Sequence, residues 1–376
     1  YEISACLVGS EMCIRDSYLR MKKQLFLTAV AALAMVSCSE ENVLDTNRGN
    51  AIDFRAAMGT RAQETTTANM SSIYVTALNA RNENLFSDQL FSKESSTSFF
   101  VSDPVYHWPG DGSTLTFYAY SPSKTDLGGT LEITSTTQKL TDFSPKASIT
   151  DQKDFVTIKA TGNKTNNEAT GVSLQFEHRL VQIEVKAKNA NDGYVYKVKG
   201  VRIGKPVSKG TFDFEANAWS LNNTEKANYE AACDEEKTLT DSPVSIMKTA
   251  GDNAMLIPQQ LIAWAATTDK TNAAAGAYLA VKVKISTAAG ARVYPVSPNV
   301  DYDWVAVPIN TNWEAGKKYI YTLDFSNGAG KVDPEKEVDP SVPEDHYEPG
   351  DNILGGPIKF TVNVTGWTDQ PENIGM

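Results

Sequence analysis

Cys38 and Arg61 are the two side chains whose surroundings point to covalent chemistry. Cys38 follows the small residue Ser37 at the end of an apolar run from Leu25 to Val36, itself preceded by Lys22 and Lys23. Arg61-Ala62 lies in GTRAQETTTANMSS, a stretch rich in hydroxyl side chains and almost free of bulky apolar ones. Such a stretch should be exposed. Arg61 is therefore either an accessible site for an arginine-specific protease or an ordinary linker arginine.

Other chemistry is thinly represented. The chain has three histidines, His107, His178 and His346, none near another. No HExxH, CxxC, GxSxG or glycine-rich phosphate loop occurs. Beyond Cys38 the remaining thiol is Cys233, set in Glu-Ala-Ala-Cys-Asp-Glu-Glu, where neighbouring negative charge raises a thiol pKa and disfavours a nucleophile. One leftover cysteine forms no internal disulfide, so the fold must rest on its core. Asp301-Tyr302-Asp303 has oxygen ligands for calcium, but a turn between strands explains it better. His178 is read as a strand-end histidine with a local hydrogen bond, or as a pH-sensitive interface residue. Trp108 and Trp264 are read as core or rim aromatics, with sugar stacking as the alternative. Carboxylate pairs that meet only in space escape this reading. The chain is read as non-enzymatic, with no cofactor and no metal.

Met21 to Glu41 has the layout of a secretory signal, with a positive start, an apolar middle and a small residue before the cysteine. The apolar run is short for a membrane span of about 20 residues. The thiol at the cleavage point makes residues 21–37 resemble a bacterial lipoprotein signal, with Cys38 as the acylated first residue. Ser39-Glu40-Glu41 resembles the acidic signal that sends such proteins to the outer surface. Residues 1–20 read as translated adapter sequence and are set aside with Cys6 and Cys13. The formal net charge of −11 argues against nucleic acid as a partner.

From Ile73 onward the apolar period is two. Ile73–Leu78, Leu115–Tyr120, Phe155–Ile158 and Val172–Phe176 are β-branched and aromatic runs bounded by turn residues. In Leu180–Val185, Val181, Ile183 and Val185 share one face; with Val172–Phe176 this predicts an antiparallel pair with one wet face. Tyr194–Ile203, Gly210–Phe214, Met255–Pro258, Leu279–Ile285 and Tyr319–Phe325 continue the habit. Glu225 to Cys233 is the one candidate for a helical turn. Many short strands read as all-β sandwiches, broken near Asn189–Gly193. Domains are expected at 62–189 and 190–376, after a tether at 38–61 that carries a first strand around Ile52 and Phe54. Residues 327–352 are acidic and proline-rich and should be disordered or extended. They lead into 357–367, where Ile358, Phe360, Val362 and Val364 share one face. That strand is either donated to another molecule or built into its own domain.

The chain resembles the fimbrillin-like pilins of Bacteroides-type bacteria, which build type V pili. The resemblance runs over nearly all of Met21 to Trp367. It rests on the signal, Ile52-Asp-Phe54 before Thr60-Arg61-Ala62, and Tyr106-His-Trp-Pro before Leu115-Thr-Phe-Tyr-Ala-Tyr-Ser-Pro122. Leu174–Leu180, Gly210–Phe214, Leu256-Ile-Pro-Gln259, Ala315–Leu323 and the final Ile358–Trp367 complete it. The resemblance implies two tandem transthyretin-like β-sandwich domains with Greek-key-type antiparallel sheets. It further implies a structural pilus subunit that supports adhesion, anchored to the outer membrane through lipid on its precursor. An arginine-specific maturation protease would cut between Arg61 and Ala62, and a neighbouring pilin would fill the vacated groove by donor-strand exchange. A host or bacterial surface ligand is the other implied partner. The alternative is a glycan-binding surface lipoprotein that stays anchored through Cys38 and does not polymerise. Four apolar residues buried at about 1.5–3 kcal/mol each give about 6–12 kcal/mol gross for an inserted strand, before ordering costs.

Overall fold

Alternating side chains between residues 54 and 178 close a barrel. The computed structural model describes residues 50–58, 70–95, 99–248, 251–265, 276–337 and 347–367. The readings of residues 1–20, the signal at 21–37, Cys38, Arg61, Ala62 and His346 lie outside these. The described fold is mostly β, as the period-two pattern requires.

The barrel comprises β1 (Phe54–Met58), β2 (Ser72–Leu78), β3 (Asn84–Lys93), β4 (Phe99–Val101), β5 (Leu115–Ser121), β8 (Val156–Gly162) and β9 (Val172–His178). Their order around it is β1-β4-β3-β2-β5-β8-β9, and β9 returns to β1. Closure leaves no unpaired edge. Inside lie Ile73, Val75, Phe91, Phe117, Leu174 and Phe176.

Between β5 and β8 the chain forms β6 (Thr130–Ile133) and β7 (Gln138–Phe143). These join β12 (Gly210–Asp213) and β13 (Ala218–Leu221) in a four-stranded sheet, so β7 pairs with a strand from the other half of the sequence. An aromatic cluster of Phe143, Phe155, Phe212, Phe214 and Trp219 packs beneath it.

Two further sheets enclose the second core. One runs β15 (Val244–Ser245), β10 (Val181–Lys188), β20 (Lys317–Asp324), β22 (Lys359–Gly366), with β16 (Ala254–Leu256) also on β10. The other runs β14 (Tyr229–Thr238), β11 (Tyr194–Gly204), β17 (Tyr278–Thr287), β19 (Asp303–Pro308), β21 (Lys331–Val332), with β18 (Arg292–Tyr294) on β17. The first part of β10 has no wet face, since Val181 to Val185 are all buried. Apart from Ile149, this core draws on residues 181–358, and membership changes over between Phe176 and Val181. The polar run Asn189–Gly193 does form a turn, held by the Asn189 side chain, whose Nδ2 donates to the carbonyls of Asn191 and Tyr194.

Three local expectations are corrected. Strands β9 and β10 do not pair with each other; β10 lies parallel to β20, from Gln182 opposite Lys318 to Lys188 opposite Asp324. The chain crosses from the barrel to the second core at Arg179-Leu180, so proximity in sequence is not proximity in a ladder. Glu225–Cys233 holds no helix; its end is the start of β14, because Tyr229 and Ala231 alternate into the core. The described parts of the acidic segment are docked. Val332 and Ile353 are buried, Asp333 is paired with Arg202 at 2.6 Å, and the backbone of Gly350 and Ile353 bonds back to Val332 and Gly330. Composition read the segment as disordered or extended with almost nothing to bury, whereas Arg202 and Lys205 supply partners for Asp333 and Glu335 inside the fold.

Candidate functional site

Strand β1 is the element on which closure of the barrel depends. Ile52 and Phe54 alternate inward and are buried, with Phe54 edge-on to Phe91 and Phe117 at ring-centroid distances of 4.8 and 5.1 Å. Arg55, on the outer face, lies 4.3 Å over the ring of Phe99. The strand is antiparallel to β4, through Phe54 opposite Phe100, and parallel to β9, from Phe54 opposite Val172 to Met58 opposite Phe176. Just before it, the amide of Ile52 donates to the Tyr106 carbonyl at 2.8 Å and that of Trp108 to the Asn50 carbonyl at 2.9 Å. The Tyr106-His-Trp-Pro run singled out in sequence is thus the clamp on the entry to β1. Without β1 the remaining six strands would form an open sheet with β4 and β9 as bare edges, and a groove lined by Phe91, Phe117 and Leu174.

At the other end of the sequence, Ile358, Phe360, Val362 and Val364 occupy and precede β22, the outer strand of its sheet. Among the described residues β22 pairs with β20 alone, from Lys317 opposite Gly366 to Asp324 opposite Lys359. Ile358 is buried, Phe360 and Val362 are half-buried against the second core, and Val364 is 48% exposed. Cover on this side of the strand thins toward the C-terminal end.

Trp367, immediately after β22, is buried against His178, the last residue of β9. His178 Nδ1 meets Asp154 Oδ2 at 2.7 Å with both side chains out of solvent. Its hydrogen bond is thus to a residue on another segment. Phe155, next to Asp154, was legible in sequence; the pairing was not.

The remaining candidates resolve into packing. Trp108 and Trp264 are each 2% exposed and belong to core clusters, so neither offers a face to a sugar. Asp301 bonds Lys284 at 2.6 Å and Asp303 bonds Lys336 at 2.7 Å, which fits the turn reading. Among the described residues no group of three or more metal-ligating side chains gathers. Cys233 is half-buried, its thiol donates to the Ile246 carbonyl at 3.2 Å, and burial pushes its pKa up.

Known proteins share this architecture. Residues 60–340 match the model of a family described as fimbrillin-like. The chain is 24% identical over 371 residues to the fimbrium subunit Fim1C of Phocaeicola vulgatus, covering 85% of this chain and 96% of that one. A crystal structure of a fimbrial protein from Bacteroides vulgatus superposes with a TM-score of 0.54 at 16% identity, covering 85% of this chain and all of the other, which shows a shared fold. The chain belongs to the fimbrillin-like family, a structural and not an enzymatic one.

Proposed function

We propose that the protein is a cell-surface fimbrial subunit, built as two tandem transthyretin-like sandwiches and polymerised by exchange of a strand. The observation that carries this reading is β1, a strand that closes the barrel and is followed directly by the linker containing Arg61. In this scheme the precursor reaches the outer membrane lipidated at Cys38. An arginine-specific protease then cuts between Arg61 and Ala62, and β1 leaves with the N-terminal segment.

Loss of β1 exposes apolar core and two rows of backbone groups, a template that another strand satisfies. The donor is β22 of a neighbouring subunit. Its alternating Ile358, Phe360, Val362 and Val364 match the inward alternation of Ile52 and Phe54. It sits at a sheet edge with one partner strand and partial cover, so its release breaks one ladder, whereas insertion between β4 and β9 of an opened barrel makes two. Such head-to-tail contacts do not close on themselves and so propagate a filament. Other pilin subunits are the partners, and a host or bacterial surface ligand the target of adhesion. The anchored glycan-binding alternative draws no support from Trp108 or Trp264, both of which are core.

The test has two arms. Mass spectrometry of polymers sheared from cells should give a mature N-terminus at Ala62. In vitro, protein carrying a photo-crosslinking residue in place of Val364 is cut at Arg61 and irradiated. Adducts should map to β4 or β9 of another copy. Trimmed protein that stays monomeric, or adducts confined to its own β20, would remove the exchange mechanism.

A further inference from the structure

The outer face of the β14-β11-β17-β19 sheet carries a cavity that the exchange mechanism leaves unused. It measures about 520 Å³ and is lined by Lys199, Gly200, Ala232, Asp234, Lys282 and Trp304 among others. That volume lies within the range of about 300–1,000 Å³ common to small-molecule sites.

Its shape follows from a bulge. Val198 pairs with Lys237 and Gly200 with Ala232, so Cys233–Glu236 on β14 stand opposite the single residue Lys199 on β11. The three extra residues push this stretch out of the sheet as an acidic wall. The bulge also shifts the parity of β11: Tyr196 and Val198 face the core before it, Val201 and Ile203 after it. Lys197, Lys199 and Arg202 therefore all reach the outer face. The floor is made of the small residues Gly200, Ala231 and Ala232, and a Cβ on Gly200 would lie 2.9 Å from the Ala231 carbonyl.

The charges around this floor fall into two groups. Arg202 is committed to Glu230 and Asp333 at 2.6 Å each, and Lys197 to Glu236 at 2.6 Å. Tyr302 donates to Glu236, which ties the wall to the residue just before β19. Lys199 and Lys282, by contrast, have no carboxylate within ion-pair distance among the described residues. Their ammonium groups lie against aromatic rings, Lys199 4.7 Å from the centre of Tyr302 and Lys282 5.8 Å from that of Trp304. Trp304 is half-buried, packed against the cluster of Trp264, Tyr278, Ala280 and Ala306, with the Arg202 guanidinium 4.3 Å over its ring. Asp234, also without an ion pair among the described residues, supplies an acceptor on the wall.

We infer that this cavity binds an anionic saccharide. The indole of Trp304 offers an apolar platform for the C–H face of a sugar ring, Lys199 and Lys282 together donate to a carboxylate or sulfate, and Asp234 accepts from ring hydroxyls. An acidic peptide would use the two ammonium groups but would leave the platform and the acceptor idle. Glu230 and Glu236 on the rim are already paired with Arg202 and Lys197, so Lys199 and Lys282 are the two cations of this cavity that stand outside ion pairs among the described residues, side by side where an anionic group can meet both.

The test uses the whole mature protein and calorimetric titration. The probes are sialyllactose, a galacturonate disaccharide and a sulfated heparin disaccharide, with lactose and hexaglutamate for comparison. One of the anionic sugars should bind saturably and at least about tenfold more tightly than lactose or hexaglutamate. Lys199→Gln with Lys282→Gln should abolish that preference while keeping the thermal midpoint of the native protein. Trp304→Leu should weaken binding of the same sugar. Bound sugar should also slow alkylation of Cys233, which lines the same cavity. Carboxylate and sulfate probes distinguish the two anion sources. No binding by any sugar, tighter binding of hexaglutamate, or binding that survives the lysine substitutions would overturn the inference.

Discussion

The rings of His178 and Trp367 stack with centroids 4.2 Å apart and planes 18° from parallel. His178 ends β9, the strand on which β1 lies, and Trp367 ends the excursion of β22. The strand proposed to leave and the strand proposed to be donated are therefore both fastened to β9, β1 through Met58 opposite Phe176 and β22 through Trp367 on His178. The amide of Trp367 adds a bond to the Gly316 carbonyl at 3.1 Å.

Trp367→Ala should free the end of β22. A buried tryptophan truncated to alanine costs about 3–5 kcal/mol, and amides of residues 359–366 should exchange faster while those of β10 stay protected. Hydrogen exchange with mass spectrometry decides it. Unchanged protection across β22 would show that the stacking holds nothing in place.

Phe54→Ala and Val364→Ala should separate cleanly in the uncut protein. Phe54 is enclosed by two rings, so its truncation should cost about 3–5 kcal/mol. Val364 is half in solvent, and its loss should fall within about 0.5 kcal/mol. Chemical denaturation of both variants checks the order, and equal costs would contradict the burial described for β1.

Glu335→Gln should show where the acidic strap gets its order. Burial alone would push the Glu335 carboxyl up, but its hydrogen bonds with Lys205 and Asn228, and the charges of Lys205 and Arg202, hold it below the usual carboxylate range. A depressed carboxylate adds stability that is complete above its unfolded value of about 4.3 and is lost as pH falls through the folded value. The thermal midpoint of wild type should exceed that of the variant at neutral pH, and the gap should close in acid. A gap independent of pH would assign the effect to something other than this charge.

Gly356→Ala should dislodge the entry to β22. A Cβ there would overlap the Asn327 carbonyl, and one on Gly328 would overlap the Gly356 carbonyl, so the two backbones cross in contact. Forcing atoms into such a crossing costs about 1–3 kcal/mol, read as a lower melting midpoint and faster exchange at Ile353 and Gly330. Gly355 has φ of 70° but open space around it, so Gly355→Asn should be tolerated.

Residues 172–176 and 319–325 announced themselves as strands, and all but Phe325 lie in β9 and β20, because alternation along a chain is a local property, set by which face meets water. The same locality made the absence of catalytic spacing legible. Glu225–Cys233 misled because its alanines and charges suit a helix in isolation, and only the core pocket for Tyr229 and Ala231 settles the strand.

Partners were not legible. That β1 lies parallel to the distant β9, that β10 takes β20 and not its neighbour β9, and that Trp367 ends on His178 are choices among many strands of similar pattern. Strand pairing is decided by which edges and apolar faces the whole chain can bury together, and a period of two carries no address. The cavity beside Trp304 has the same origin: a bulge in β14, a parity shift in β11 and a lysine on β17 meet only once the sheet is assembled. Alternation and composition were therefore enough for most strands, for their apolar faces and for the want of catalytic spacing. Which strand closes the barrel and which charges stand uncommitted emerged only on folding, because both depend on contacts between residues far apart along the chain.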